Sequence, residues 1–154
     1  MDKGKVKDLL NTALEENKSL FLIELNFLAD NKIYVEVDGD NGVALQECIR
    51  ISRAIEHDLD REEEDFSLEV TSPDVADALK VKRQYKKNIN RTLDVKLKDN
   101  ETVQGVLTNV TENEIELEWK AREPKPIGKG KITVVKNAKI QFEDILEAKV
   151  KIIF

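Results

Sequence analysis

The feature that most constrains this chain is a change of apolar period partway along it. Up to residue 71 helical stripes alternate with β-prone runs; beyond Arg91 only short β-prone runs remain, set apart by turn signals. Residues 5–16 place Val6, Leu9, Leu10 and Ala13 or Leu14 at helical spacing. Leu20–Leu28 and Ile33–Val37 are β-prone, and Asp30-Asn31-Lys32 between them favours a turn, which predicts an antiparallel hairpin. Asp38-Gly39-Asp40-Asn41-Gly42 is turn chemistry throughout and leads into a helix over residues 44–59, with Asp40 or Asn41 available as its cap. In that helix Leu45, Cys48/Ile49, Ser52, Ile55 and Leu59 step by three or four, so one stripe faces a core. Asp60 through Asp65 is an acidic loop. Residues 66–71 then alternate with period two, a half-buried strand that Pro73 ends. The order α-β-β-α-β predicts helices packed on one face of a small three-stranded sheet.

Residues 76–89 hold Leu79, Val81, Tyr85 and Ile89 among five basic residues and predict a short helix that opens a second domain. Strands are expected at Leu93–Leu97, Val103–Val110, Ile115–Trp119, Ile132–Val135, Ile140–Phe142 and Val150–Phe154, with turns at 99–101, 111–113 and 136–138. Short strands at regular spacing argue for a small all-β barrel or sandwich. Gly105, inside a strand pattern, suits a bulge or tight bend. A chain of 154 residues accommodates one ordinary domain or two small ones.

Charge is divided along the same boundary. Residues 1–80 hold 9 basic and 20 acidic residues, net −11, and residues 81–154 hold 16 and 11, net +5. A basic half within an acidic chain points to an acidic partner such as nucleic acid. The amphipathic start predicts no signal peptide, no apolar run approaches the length that spans a bilayer, and a lone cysteine suits a reducing compartment. A soluble, cytoplasmic chain is expected.

Catalytic chemistry finds little support. His57 lies near the end of the second helix, where a cation also suits the helix dipole, and Cys48 lies on an apolar stripe, where a thiol is inert without a positive partner. The glycines form no phosphate-cradling motif. Counted as a calcium loop from Asp38, the positions that require Gly and a bidentate Glu hold Val43 and Ile49, so no metal is expected. Nucleic-acid features are plainer. Lys80, Lys82, Arg83, Lys86, Lys87 and Arg91 surround Tyr85, and Lys120, Arg122, Lys125, Lys129 and Lys131 lie in a Pro/Gly-bearing loop over 120–131. Such side chains serve phosphates without regard to sequence. Trp119 and Phe142 have apolar neighbours and are expected in a core, so strings of stacked bases are not. These residues favour docking on a folded, phosphate-rich assembly.

The strand Leu68-Glu69-Val70-Thr71-Ser72-Pro73, followed by a small β-barrel pattern, resembles the ribosome maturation factor RimP family, whose hallmark reads roughly L-E-V-S-S-P-G and then D-R-P-L. Asp74 stands where the family has glycine, and Ala76-Asp77-Ala78-Leu79 replaces D-R-P-L, so the family's arginine is absent. Further likenesses are Asp38 through Cys48, Ser52-Arg53-Ala54-Ile55-Glu56, Gly105-Val106-Leu107, and the ending from Phe142 to Ile145 and from Ile152 to Phe154. The resemblance implies an α+β protein: a KH-like α/β domain over residues 1–77 and an SH3- or Sm-like β-barrel over 78–154. It implies a monomeric, non-enzymatic factor without cofactor that binds the small ribosomal subunit near the decoding region, touching ribosomal RNA and a ribosomal protein, and promotes its maturation. The basic residues Lys82, Arg83, Lys86, Lys87, Arg91, Arg122, Lys125, Lys129 and Lys131 would then face the ribosome. Glu69, Ser72 and Pro73 would form the domain junction, with Glu69 accepting bonds from the following turn or facing a basic residue such as Lys82, and Ser72 capping that turn. Two rival readings stay open: an Sm-like RNA chaperone that forms a closed ring, and a small enzyme that uses Asp38, Asp40 and Glu69.

Overall fold

A computed structural model describes residues 2–152. The fold divides at Asp74/Val75 into two compact units.

In the first unit, α1 (Lys3–Glu15) begins at Asp2, whose side chain accepts a hydrogen bond from the Lys5 amide. It is followed by β1 (Leu20–Leu28), a 3-10 turn at Ala29–Asn31, β2 (Lys32–Gly39), α2 (Leu45–His57) and β3 (Ser67–Thr71), so the expected α-β-β-α-β order is present. β1 and β2 form the antiparallel hairpin, with Asp30 and Asn31 at positive φ in its turn, a conformation Asp and Asn tolerate better than most residues. β3 then pairs parallel to β2, Ile33 opposite Leu68 and Val35 opposite Val70. A parallel partner requires a crossover, and α2 supplies it. One face of the sheet contributes Ile33, Val35 and Val37, against which α1 packs Val6, Leu10 and Ala13 and α2 packs Ile51 and Ile55.

The expected stripe of α2 is buried in part, at Cys48 and Ile55 with Leu59 packed against the core, and Ile51 joins it. Cys48, Ile51 and Ile55 face the core, whereas Leu45 is 71% exposed and Ile49 42%. The expected cap is also displaced: Ala44 occupies the N-cap without a side-chain bond. Asp40 and Asn41 belong instead to a loop pinned to the start of β1, where the Asp40 amide donates to the Ser19 carbonyl at 2.8 Å. Gly39 is required there, because a Cβ would lie 2.3 Å from the Gly42 carbonyl oxygen.

The second unit opens with α3, which spans only Lys82–Lys87 rather than the expected 76–89. The preceding segment is extended: the Leu79 amide donates to the Ala148 carbonyl, and the amides of Lys80 and Val81 donate to the Gln84 side-chain oxygen. β4 (Thr92–Leu97), β5 (Thr102–Val110), β6 (Glu114–Pro124), β7 (Lys131–Gln141) and β8 (Ile145–Val150) form one antiparallel sheet in the order β7-β6-β5-β4-β8. Among the described residues β7 and β8 are not paired, so the expected barrel is not closed by a hydrogen-bonded ladder. The core holds Leu93, Val95, Leu107, Ile115, Leu117, Ile140 and Ala148, with Tyr85 of α3 among them, and Trp119 and Phe142 pack against it as expected.

Several strand boundaries differ from expectation. Lys136-Asn137-Ala138, expected as a turn, lies inside β7 opposite Trp119, Glu118 and Leu117; continuous pairing with β6 overrides the turn preference of Asn. Phe142, expected at the end of a strand, opens a 3-10 turn at Phe142–Asp144. The last strand is Ile145–Val150; of the strand expected over Val150–Phe154, Ile153 and Phe154 lie outside the described residues.

Candidate functional site

The basic residues of the second unit fall into two groups that differ in how far their charge is already used. In α3, Lys82 is engaged: its ammonium donates to the Glu112 carbonyl and lies 5.3 Å from the centroid of the Phe142 ring. That ring meets Tyr85 edge-on, with centroids 5.1 Å apart. Burial in this apolar site pushes the Tyr85 phenol up to about 12. Arg83 and Lys87 are half-buried and in contact with other groups. Lys86 and Arg91 are exposed and make no ion pair among the described residues. The helix is held by its buried amides, with the Asn88 side chain donating to the Gln84 carbonyl at 2.7 Å.

The second group lies on a β-ribbon rather than in the expected loop over 120–131. β6 continues to Pro124 and β7 begins at Lys131, paired residue for residue, so Lys120 and Arg122 are strand residues and the turn is only 125–130. Gly128 and Gly130 have positive φ in that turn, and the Lys125 amide closes it onto the Gly130 carbonyl at 3.1 Å. Along the ribbon Lys120, Arg122 and Lys131 share one face, because successive side chains alternate. Arg122 donates to Thr133 Oγ1 at 3.2 Å and to the Lys131 carbonyl at 3.4 Å, which fixes its guanidinium along the strands. On the opposite face Glu123 is held by Lys136 at 2.5 Å.

Glu69, Ser72 and Pro73 sit on and just after β3, at the end of the first unit. Glu69 is exposed on an edge strand opposite Tyr34, and its carboxylate makes no hydrogen bond among the described residues. Ser72 is exposed, and its carbonyl accepts from Thr71 Oγ1 at 3.4 Å. The outer side of β2 carries Tyr34, whose hydroxyl donates to Glu36 at 3.0 Å. Burial, this bond and the carboxylates of Glu36, Glu24 and Glu69 push the Tyr34 phenol up to about 12. Asp38 accepts from the Gly39 amide at 2.8 Å and so serves the loop that follows it.

Cys48 is buried and its thiol is pushed up by desolvation and then by Glu47, which suits a packed, inert side chain. No group of His, Cys, Asp and Glu among the described residues could hold a metal ion, and no helix among them is long and apolar enough to cross a membrane. Sequence reasoning could place the cations along the chain but could not separate the engaged Lys82 from the exposed Lys86, because that difference lies in the Glu112 carbonyl and the Phe142 ring.

Comparison with known proteins completes this picture. The profile of the RimP N-terminal domain matches residues 9–75, most of the first unit and one residue beyond it. The chain is 55% identical over its full length, and the full length of the relative, to the ribosome maturation factor RimP of Christiangramia forsetii. It is 55% identical to that of Flavobacterium psychrophilum, covering 99% of the chain and 98% of the relative. A more distant relative, the ribosome maturation factor RimP of Cytophaga hutchinsonii, is 30% identical over 92% of the chain and 90% of its own length. The α-β-β-α-β first unit, the basic second unit and the end-to-end likeness agree: the chain belongs to the ribosome maturation factor RimP family.

Proposed function

We propose that this protein is a non-enzymatic ribosome maturation factor that binds the small subunit during its assembly. The observation that carries the reading is the 55% identity, end to end, with relatives named ribosome maturation factor RimP. The charge pattern supports it, since an acidic first unit precedes a second one whose exposed cations suit ribosomal RNA. In this reading residues 1–77 act as a KH-like domain and 78–154 as an SH3- or Sm-like one. The protein works as a cytoplasmic monomer and docks near the decoding region on RNA and a small-subunit protein. Lys86 and Arg91 of the α3 region, together with the ribbon cations, are the contacts expected to meet phosphate; Lys82, Arg83 and Lys87 would shape the surface beneath them.

Sedimentation of cell lysate on a sucrose gradient tests this. The protein should travel with immature small subunits and be absent from translating ribosomes, and its loss should leave precursor small-subunit RNA to accumulate. A protein that sediments as a closed ring, with normal small-subunit maturation in its absence, would instead support the Sm-like chaperone reading.

A further inference from the structure

β5 pairs with β6 only as far as Glu118, so Trp119–Pro124 and Lys131–Lys136 continue beyond it as a two-stranded ribbon of six register pairs, about 20 Å long at strand rise. Its two faces are unlike. Trp119, Ala121, Ile132 and Val134 share a half-buried face with the Glu123–Lys136 pair. Lys120, Arg122, Lys131, Thr133 and Val135 share the other face, and all of them are exposed. The turn adds Lys125 and Lys129, and residues 124–135 contain no acidic side chain. None of these five cations makes an ion pair among the described residues. A face of this kind has a standing electrostatic surplus, and only a polyanion neutralises it in full.

The form of the polyanion follows from the geometry. The exposed face carries no aromatic side chain, since Trp119 points the other way, so base stacking of the kind that holds single strands is absent. On this face Lys120 and Arg122 stand two residues apart on β6, about 7 Å, and Lys131 adds a third cation on β7, opposite Pro124 and beside Arg122. Arg122 is fixed by its bonds to Thr133 and Lys131. A rigid cation array suits phosphates that are themselves held in a regular array, and an A-form helix presents these on both sides of a wide, shallow minor groove. We propose that the exposed face of the β6–β7 ribbon is an arm for the sugar–phosphate backbone of double-helical RNA, laid across that groove without regard to base sequence. The inference deepens the small-subunit reading and rests on it for the RNA being within reach.

The test uses the full chain, an RNA hairpin of about 20 base pairs, long enough to present successive minor grooves, and poly(U) with the same number of phosphates. The variant Lys120→Gln/Arg122→Gln/Lys131→Gln changes only exposed positions, and its melting curve reports whether the fold is kept. Against hairpin RNA the parent should bind with log affinity falling linearly with log salt. The triple variant should lose tenfold or more at ~50 mM salt, and its slope should fall by about 2 to 3. Should the triple variant fail to fold, Lys120→Gln and Lys131→Gln singly should each lower the slope by about 1. Lys86→Gln/Arg91→Gln should leave the ribbon's share of the slope in place. An unchanged slope in the ribbon variants, or poly(U) bound as tightly as the hairpin by the parent, overturns the proposal. A parent that still travels with immature small subunits in that case leaves the functional reading standing. RNA binding through the ribbon by a parent that never meets small subunits would overturn the reading and keep the arm.

Discussion

A methyl group at position 105 would be crowded by the neighbouring strand. It would lie 3.0 Å from the Glu118 carbonyl oxygen and 3.2 Å from Leu117 Cβ, both on the adjacent strand β6. Backbone conformation is not the reason, since Gly105 is not among the positive-φ residues. Gly105→Ala should therefore destabilise by about 1–3 kcal/mol through overpacking, read as a lower urea midpoint with an unchanged m-value. The sequence marks this glycine as special within a strand and assigns it to a bulge or tight bend. The register irregularity in fact lies between Leu107 and Asn109, and the close approach depends on a neighbour that no local pattern announces. The two tyrosines make a second test at this scale. Both phenols are pushed up to about 12, Tyr85 by burial and Tyr34 by burial, the Glu36 bond and nearby carboxylates. The folded values lie above the unfolded value of about 10, so the fold prefers the protonated phenol. That contribution is fully present below pH ~10 and is lost as pH rises through about 12. Tyrosinate absorbance of the native protein should titrate near the upper value and return to about 10 in urea. Tyr34→Phe should lose stability less steeply over that window than the parent does.

At the scale of elements, α2 shows both what sequence supplies and where it stops. Its residues fit two helical rows, 45–48/49–52–55–59 and 48–51–55, and periodicity alone does not choose between them. Packing against Ile33, Val35 and Val37 of the sheet selects the second row. Ile51→Ala should then cost about 2–5 kcal/mol by leaving a cavity, whereas Leu45→Ala, at an exposed position, should stay within about 0.5 kcal/mol. Thermal melts of the two variants side by side check the assignment, and equal losses would reject it. The order of helices and strands was legible because each element carries its own period. The length of α3 was not, because Leu79 is drawn into an extended path by a bond to Ala148, nearly 70 residues away along the chain. Nor was the ribbon, whose Pro and Gly residues mimic a long loop while cross-strand pairing extends almost to the turn. Replacing 125–130 with Asn-Gly should keep the fold, since a type I′ turn joins paired strands directly and shortening a surface loop costs little. Circular dichroism and the melting midpoint should stay close to those of the parent.

For the whole molecule, a net charge of −6 would ordinarily keep a protein away from RNA, yet the charge is not mixed: the first 80 residues carry −11 and the rest +5. The acidic part repels phosphate at long range, so attraction has to come from cations that are near the partner and not already paired. Burial and contacts narrow those on the α3 side to Lys86 and Arg91, because Lys82 is satisfied by the Glu112 carbonyl and the Phe142 ring while Arg83 and Lys87 are half-buried. Sequence alone ranked all five together. Lys86→Glu/Arg91→Glu should consequently weaken association with small subunits while sparing the fold, since exposed substitutions cost within about 0.5 kcal/mol. Lys82→Gln should act differently: it removes a contact to a carbonyl and a ring, so stability should fall with little change in the salt dependence of binding. Co-sedimentation with purified small subunits between ~50 and 200 mM salt separates the two, because phosphate contacts show themselves as a slope in that range. The charge-reversed double variant should bind more weakly and with a shallower slope than the parent. An unaltered slope would place the phosphate contacts elsewhere, leaving the ribbon as the cationic surface that meets RNA.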